Sequence, residues 1–233
     1  MKYRYIFVDL DNTLLDFEAA EEYSFYYTAQ SRGLSFGEAE LERYQAINAP
    51  LWKMMERREI TKEALVVRRF RELFEELGIT GIDPEQYNAD YLNNLALCTR
   101  TIDGAEELCR FIHENGVLII ATNGVSATQH RRIAASGLEP WLDKVVVSDD
   151  AGAEKPDPRY FERAFAVSGA GDKRECVIIG DSLTSDIKGG QQFGIDTCWF
   201  NPKGKALPEG MPAPTYTVSG LSEFIDILNG KDL

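Results

Sequence analysis

Two aspartates, Asp9 and Asp11, follow the apolar run 5–8 and are the residues that point most directly to a chemical function. A carboxylate at the end of a buried strand is costly unless it binds a cation or takes part in a reaction. Because a carboxylate can attack phosphorus and form an aspartyl-phosphate, Asp9 is a candidate nucleophile and metal ligand. Asp11 is then a candidate general acid for the leaving oxygen and, later, the base that activates water.

A second acidic ending, Gly180-Asp181, follows the apolar run 176–179. If the two strands are neighbours, Asp9 and Asp181 form a cage of oxygen ligands for a hard divalent cation. Mg²⁺ suits such a cage because it also binds substrate phosphate directly. Asp186 is a candidate to orient a metal-bound water or a lysine from outside the ring of ligands.

Two further segments offer groups that bind a phosphate. Thr122, Asn123 and Gly124 follow the apolar run 117–121 and supply a hydroxyl, an amide and backbone donors. Lys155 precedes a proline and a helix start, which fixes its backbone and could aim the ammonium at a phosphoryl group and at Asp9.

Taken singly, each segment also has an ordinary structural explanation. Asp and Asn are common in polar turns, and Thr-Asn-Gly is common between a strand and a helix. A lysine before a helix is usually exposed, and an acid such as Asp186 in a first helical turn stabilises the helix dipole. Their combination, with each segment at the end of a strand, favours a site that handles phosphate.

Short, continuous apolar runs predict the strands that position these residues, at 3–8, 117–121, 144–147, 176–179 and 197–200. Such runs are typical of a parallel sheet covered on both faces. Helical patterns alternate with the later runs, at 104–115, at 127–136, from Asp157-Pro158 onward and at 185–193. This alternation predicts a doubly wound α/β sheet, which binds ligands at the carboxyl ends of its strands.

The segment 16–98 departs from this alternation, since it has no convincing strand and its apolar residues recur at helical spacing. We interpret it as an inserted cap of several helices, well placed to act as a lid. The predicted domains are a core of residues 1–15 and 99–233 and a cap of residues 16–98. A Pro- and Gly-rich loop at 201–215, an edge strand at 215–218 and a closing helix at 221–228 complete the prediction.

The composition excludes some classes of protein. With 233 residues, 44% of them apolar and 11% aromatic, the chain can bury a sizeable core. A net charge of −13 argues against a nucleic-acid polymer or an anionic membrane as partner. The four cysteines have no paired spacing and are predicted to be small buried residues. Without a signal pattern or a long apolar run, a cytoplasmic protein is expected, and nothing demands more than a monomer.

The chain resembles the haloacid dehalogenase-like (HAD) superfamily of phosphatases in residues that occur in the family's order: Asp9, Asp11, Thr122, Lys155, Asp181 and Asp186. The resemblance covers the whole chain and places the helical cap at the family's first insertion site. It implies a Rossmann-like core with strand order 5-4-1-2-3, and Mg²⁺ held by the Asp9 carboxylate, the Asp11 backbone carbonyl and Asp181. True haloacid dehalogenases lack the second aspartate, so Asp11 points to phosphoryl transfer.

Further details resemble the bacterial pyrimidine 5′-nucleotidase subfamily: the cap segment 44–52, Gln129 shortly after 122–124, and Thr197-Cys198-Trp199. This resemblance implies hydrolysis of pyrimidine nucleoside monophosphates such as dUMP, dTMP or UMP, including noncanonical ones. The cap would recognise the base, for which Asn48 offers an amide and Trp52 a stacking face. An aromatic at helical spacing is, however, more often part of a core.

The leading hypothesis is a Mg²⁺-dependent phosphomonoesterase that acts on a small nucleotide through an Asp9 phosphoenzyme. A sugar-phosphate phosphatase or a sugar phosphomutase would keep the same core and change the substrate or the acceptor. A non-catalytic phosphate-binding module is a further alternative. The presence of both carboxylates in the first loop, together with Lys155 and Asp181, speaks against it.

Overall fold

The computed structural model describes residues 1–231, and the chain divides into two compact units. The core unit comprises residues 1–17 and the chain from Thr99 onward, and the helical unit comprises Glu18–Cys98.

The core unit contains one sheet of six strands, all parallel, in the order β3-β2-β1-β4-β5-β6. The strands are β1 (Tyr5–Val8), β2 (Val117–Thr122), β3 (Lys144–Val147), β4 (Cys176–Gly180), β5 (Asp196–Phe200) and β6 (Tyr216–Val218). The predicted order 5-4-1-2-3 is confirmed, and the predicted edge strand adds β6 beside β5.

The position of β1 in the centre of the sheet explains why an acidic loop can follow it. Tyr5 pairs with Val117 on one side and with Cys176 on the other. Immediately after the strand, the N–H of Asp9 still donates to the carbonyl of Ile179 at 2.9 Å. The loop that contains Asp9 and Asp11 therefore leaves the sheet beside the end of β4. The second acidic segment, which contains Asp181, begins at that same end.

Helices cover both faces of the sheet. They are α5 (Ala105–Asn115), α6 (Ser126–Ala135), α7 (Ser148–Ala151), α8 (Pro158–Ser168), α9 (Lys188–Phe193) and α10 (Leu221–Leu228). Successive strand residues point to opposite faces. Ile6 and Val8 belong to a buried cluster that includes residues of α5 and α10, whereas Tyr5 and Phe7 belong to a second cluster that includes residues of α8. Burial on both faces accounts for the continuous apolar runs.

One predicted helix, at 185–193, differs in the structure. Its first part is a π-helical turn at Leu183–Ile187, and only then does α9 begin. The N–H of Ile187 donates to the carbonyl of Ser182, and the Ser182 side chain accepts the N–H of Ser185 at 3.2 Å. The wider turn accompanies an inward position of Asp186, whose side chain accepts the N–H of Ser182 at 3.2 Å.

The helical unit is built from α1 (Phe17–Ser31), α2 (Glu38–Glu56), α3 (Lys62–Leu77) and α4 (Pro84–Leu95), with Phe17 itself in the core unit. Residues 18–98, all of which the structure describes, contain no strand. The helices pack around a cluster of stacked and edge-on aromatic rings that includes Tyr44, Phe70, Tyr87 and Tyr91. Such ring pairs stabilise a core beyond the area that they bury.

All four cysteines lie in the described range and are free thiols. Cys109, Cys176 and Cys198 are buried, as predicted, but Cys98 is only partly buried. The prediction was wrong for Cys98 because this residue lies in the connection after α4, outside any packed element. None of the helices in residues 1–231 is long and apolar enough to cross a membrane.

Candidate active site

The loop that carries Asp9 and Asp11 is closed by its own backbone. The N–H groups of Leu14 and Leu15 both donate to the carbonyl of Leu10. Asn12 has a φ of 56°, in the left-handed region that asparagine tolerates better than most residues. The loop therefore returns to the core unit within a few residues and holds the two carboxylates in fixed positions.

Lys155 lies at the centre of the site, with only 1% of its side chain exposed. Its ammonium donates to Asp9 Oδ1 at 2.7 Å, to Asp186 Oδ1 at 2.6 Å and to the carbonyl of Ala121 at 2.6 Å. These acceptors match the three protons that an ammonium can donate. Burial lowers the pKa of Lys155, but the charges of Asp186 and Asp9 outweigh burial and raise it well above its usual value.

The backbone of Lys155 is held by Asn123. The Asn123 side-chain NH₂ donates to the carbonyl of Lys155 at 2.8 Å, and its side-chain oxygen accepts the N–H of Lys155 at 2.8 Å. The amide that the sequence suggested as a phosphate ligand is thus engaged with a neighbouring loop. In the structure this amide holds the backbone of Lys155 through both of its hydrogen bonds.

Asp186 is completely buried and accepts a hydrogen bond from the ammonium of Lys155. This is the contact that it would need in order to orient the lysine, one of the two roles predicted for it. The close approach depends on Gly180, because a Cβ at this position would overlap Oδ2 of Asp186. The glycine at the end of β4 thus leaves the space into which the carboxylate of Asp186 fits.

Asp9, Asp181 and Asp186 form a cluster in which one oxygen of each residue lies within 4.8 Å of the others. Burial, followed by the charge of Asp186, raises the pKa of Asp181 to about 7. Burial also raises the pKa of Asp9, although Lys155 opposes the shift. The Lys155 ammonium contacts Asp9 and Asp186, and Asp181 adds a third carboxylate to the cluster. An all-oxygen donor set with surplus negative charge fits a hard divalent cation such as Mg²⁺.

Replacing Asp181 by asparagine tests this donor set. In EDTA we expect the variant to be more stable than the parent by about 0.5–2 kcal/mol, because it removes one of the mutually repelling carboxylates of the cluster. Added Mg²⁺ should raise the melting temperature of the parent and should have a much smaller effect on the variant. Thermal unfolding with and without Mg²⁺ measures both effects. Glu209→Gln, at an exposed position between β5 and β6, is the charge-matched control. An equal Mg²⁺-dependent shift in all three proteins would remove Asp181 from the ligand set.

A chain of hydrogen bonds links Asp11 to Thr122. Gln129 Nε2 donates to Asp11 Oδ2 at 2.7 Å and to the hydroxyl of Thr122 at 2.8 Å. Arg132, which is completely buried, donates through Nη1 to Asp11 Oδ1 and to Gln129 Oε1. Gly124 makes room for this arrangement, since a Cβ there would overlap the side chain of Gln129.

Sequence reasoning missed Arg132 and assigned no role to Gln129. One signal could have found them. The two residues are three apart on a helix that directly follows 122–124, so they share one helix face. A polar pair at this spacing, next to a predicted phosphate-binding turn, is a candidate for contact with the first acidic loop.

The substrate-binding residues predicted in the cap, Asn48 and Trp52, lie on α2 in the helical unit. Asn48 is buried, and its NH₂ donates to Glu21 Oε1 at 3.1 Å while its oxygen faces Arg69 Nη1 at 3.5 Å. Trp52 is half-buried. The structure therefore brings together the predicted residues of the core unit, and it engages Asn48 in a polar network within the helical unit.

Comparison with known proteins shows the family to which the chain is similar. Residues 3–194 match the family model of haloacid dehalogenase-like hydrolases. The pyrimidine 5′-nucleotidase PynA of Streptococcus pneumoniae is 36% identical, covering 98% of this chain and 96% of its own. The pyrimidine 5′-nucleotidase YjjG of Escherichia coli is 34% identical, covering 98% and 99%. A crystal structure of the HAD-hydrolase YfnB from Bacillus subtilis, bound to magnesium, superimposes with a TM-score of 0.92 at 37% identity, covering 98% of this chain and 100% of that one.

Proposed function

The chain belongs to the haloacid dehalogenase-like hydrolases, and from this premise we propose that it is a Mg²⁺-dependent phosphomonoesterase for pyrimidine nucleoside 5′-monophosphates. The observation that carries the proposal is the position of Asp9, which is hydrogen-bonded to the buried Lys155 and belongs to the carboxylate cluster. Similarity to two pyrimidine 5′-nucleotidases over nearly the whole chain supports the substrate class.

In the first half-reaction, a carboxylate oxygen of Asp9 attacks the phosphorus, and the bond between phosphorus and the ester oxygen breaks. Asp11 gives its proton to that oxygen, which leaves as the nucleoside hydroxyl. Lys155 and the hydroxyl of Thr122 stabilise the negative charge on the transferring phosphoryl group.

In the second half-reaction, water attacks the phosphorus of the aspartyl-phosphate and gives a proton to Asp11. The bond between phosphorus and Asp9 then breaks, which releases inorganic phosphate and restores Asp9 as a carboxylate and Asp11 as a protonated acid. A Mg²⁺ ion held by Asp9, Asp181 and the backbone carbonyl of Asp11 would supply positive charge that lets the anionic nucleophile and substrate approach each other.

Substrate selection is assigned in this proposal to the helical unit, with Asn48 and Trp52 as the residues that contribute to recognition of the base. Because Asn48 also holds Glu21, its role includes keeping α1 and α2 together. Its replacement should therefore affect the stability of the helical unit as well as KM.

The proposal is tested by phosphate release from a panel of nucleoside monophosphates and sugar phosphates, with Mg²⁺ and with EDTA. We expect release that requires Mg²⁺ and is fastest, judged by kcat/KM, for dUMP, dTMP or UMP. Release from sugar phosphates alone would keep the chemistry and overturn the substrate class. Undiminished release in EDTA would overturn the metal requirement, and no release from any substrate would favour a mutase or a non-catalytic module.

A further inference from the structure

Both carboxylate oxygens of Asp11 are held by side chains of α6. Oδ1 accepts a hydrogen bond from Arg132 Nη1, and Oδ2 accepts one from Gln129 Nε2 at 2.7 Å. Arg132 Nη1 also donates to Gln129 Oε1 at 3.0 Å, so the two side chains brace each other. An aspartate with both oxygens engaged in this way has its side-chain rotamer set by its neighbours.

The hydrogen-bonding capacity of the Arg132 guanidinium is only partly used in its buried position. Its side chain is completely buried, and Asp11 is its ion-pair partner. Within residues 1–231, its Nε and Nη2 atoms have no hydrogen-bond partner, although the guanidinium lies 5.6 Å from the centre of the Phe17 ring. A buried ion pair with unsatisfied donors often stabilises a fold no better than apolar residues of the same volume. A role in orienting Asp11 explains this arrangement better than stability does.

Gln129 adds a second constraint. The same nitrogen, Nε2, donates to Asp11 Oδ2 and to the hydroxyl of Thr122 at 2.8 Å. The candidate acid–base group and the candidate phosphate-binding hydroxyl are thus tied to one amide, which fixes their separation.

We propose that Gln129 and Arg132 are positioning residues that hold Asp11 where it can protonate the leaving oxygen. This inference rests on the proposed function, since it assumes phosphoryl transfer to Asp9 with Asp11 as the acid. Neither residue touches the reacting atoms in this proposal. The effect of Arg132, whose ion-pair partner is Asp11, is confined to the steps in which Asp11 gives or takes a proton.

This restriction separates the proposal from a purely structural role. A nucleoside 5′-oxygen is a strongly basic leaving group that needs a proton, whereas 4-nitrophenolate leaves without one. Because kcat/KM reports on events up to the first irreversible step, it isolates phosphoryl transfer to Asp9 from the later hydrolysis. Misplacing Asp11 should therefore reduce kcat/KM for dUMP far more than for 4-nitrophenyl phosphate.

The test compares Arg132→Met with the parent on these two substrates in saturating Mg²⁺. General acid catalysis contributes roughly 10²–10⁴-fold, so we expect a loss of about 10²-fold or more with dUMP and less than about 10-fold with 4-nitrophenyl phosphate. Arg132→Lys keeps the charge and should recover part of the activity with dUMP. Arg131→Met, at the exposed neighbouring position, makes the same change and should resemble the parent on both substrates.

Equal losses on the two substrates would overturn the proposal, because they would indicate general damage to the site. Should Arg132→Met fail to fold, as judged by circular dichroism, Arg132→Gln applies the same comparison with a polar side chain that keeps a hydrogen-bond donor and removes the charge. An equal loss in that variant would likewise overturn the proposal. A parent protein that hydrolyses neither substrate would instead refute the proposed function itself.

Discussion

Replacing Asp9 by asparagine should abolish steady-state phosphate release, with a loss in kcat of roughly 10⁴–10⁶-fold, as for other enzymes that lose their nucleophile. The amide cannot form the aspartyl-phosphate on which the proposed reaction depends. The amide can still accept a hydrogen bond from Lys155, so the fold of the core unit should persist. Phosphate release with dUMP as substrate measures the effect, and circular dichroism confirms folding.

Chemical trapping makes this prediction specific to the covalent step. Acid quenching of the parent protein with labelled substrate should retain phosphate on the protein, and the Asp9→Asn variant should retain none. Asp103→Asn, at an exposed position of the core unit, is the matched control and should behave like the parent. Multiple turnovers by the Asp9→Asn variant would exclude Asp9 as the nucleophile.

Replacing Lys155 by methionine should damage both stability and activity. The change leaves Asp9 and Asp186 buried without the ammonium that now contacts both of them. Breaking a buried ion pair by removing one partner typically costs about 3–5 kcal/mol. Activity should also fall, by roughly 10²–10³-fold, because the proposed reaction loses the positive charge beside the transferring phosphoryl group. Urea unfolding and phosphate release measure the two effects separately.

A double variant distinguishes this electrostatic cause from a packing defect. Adding Asp186→Asn to Lys155→Met removes one of the two stranded carboxylates, so the double variant should be more stable than Lys155→Met alone. Lys144→Met, on the exposed side of β3, should change stability little. If Asp186→Asn lowered the stability of Lys155→Met further, charge compensation would not explain the placement of Lys155.

The sequence predicted the parts of the site that depend on local pattern. Asp9, Thr122 and Asp181 each lie at the end of an apolar run, and a parallel sheet brings the ends of neighbouring strands to one edge. Strand bounds differ from the predicted ones by at most two residues. The sheet order was available only through family resemblance, since the apolar runs themselves do not say which strands are neighbours.

The remaining contacts depend on packing between distant segments. Arg132 contacts Asp11 across 121 positions of the chain, and Asn123 contacts Lys155 across 32. Helical periodicity indicates that α6 has a buried face but not that an arginine lies on it. The π-helical turn before α9 was not predicted, and it contains Asp186, whose contact with Lys155 joins two segments that are distant in sequence.

The helical unit shows the same limit. Amphipathic spacing predicted its helices, yet it gave no sign that Glu21, Asn48 and Arg69 would be buried together. These residues come from three different helices, α1, α2 and α3, and a polar network among helices is specified only when they pack.

Gly180 constrains which substitutions the site can accept, because the space that a side chain would need at this position is occupied by Asp186. Because any larger residue there would displace Asp186, and because Asp186 shares Lys155 with Asp9, a change at one of these positions alters what the others can tolerate. Related chains that keep the equivalents of Lys155 and Asp186 should also keep a glycine before the equivalent of Asp181. Chains that have lost the lysine are free to vary there, so a side chain at this position would mark a descendant in which the ancestral chemistry has been abandoned.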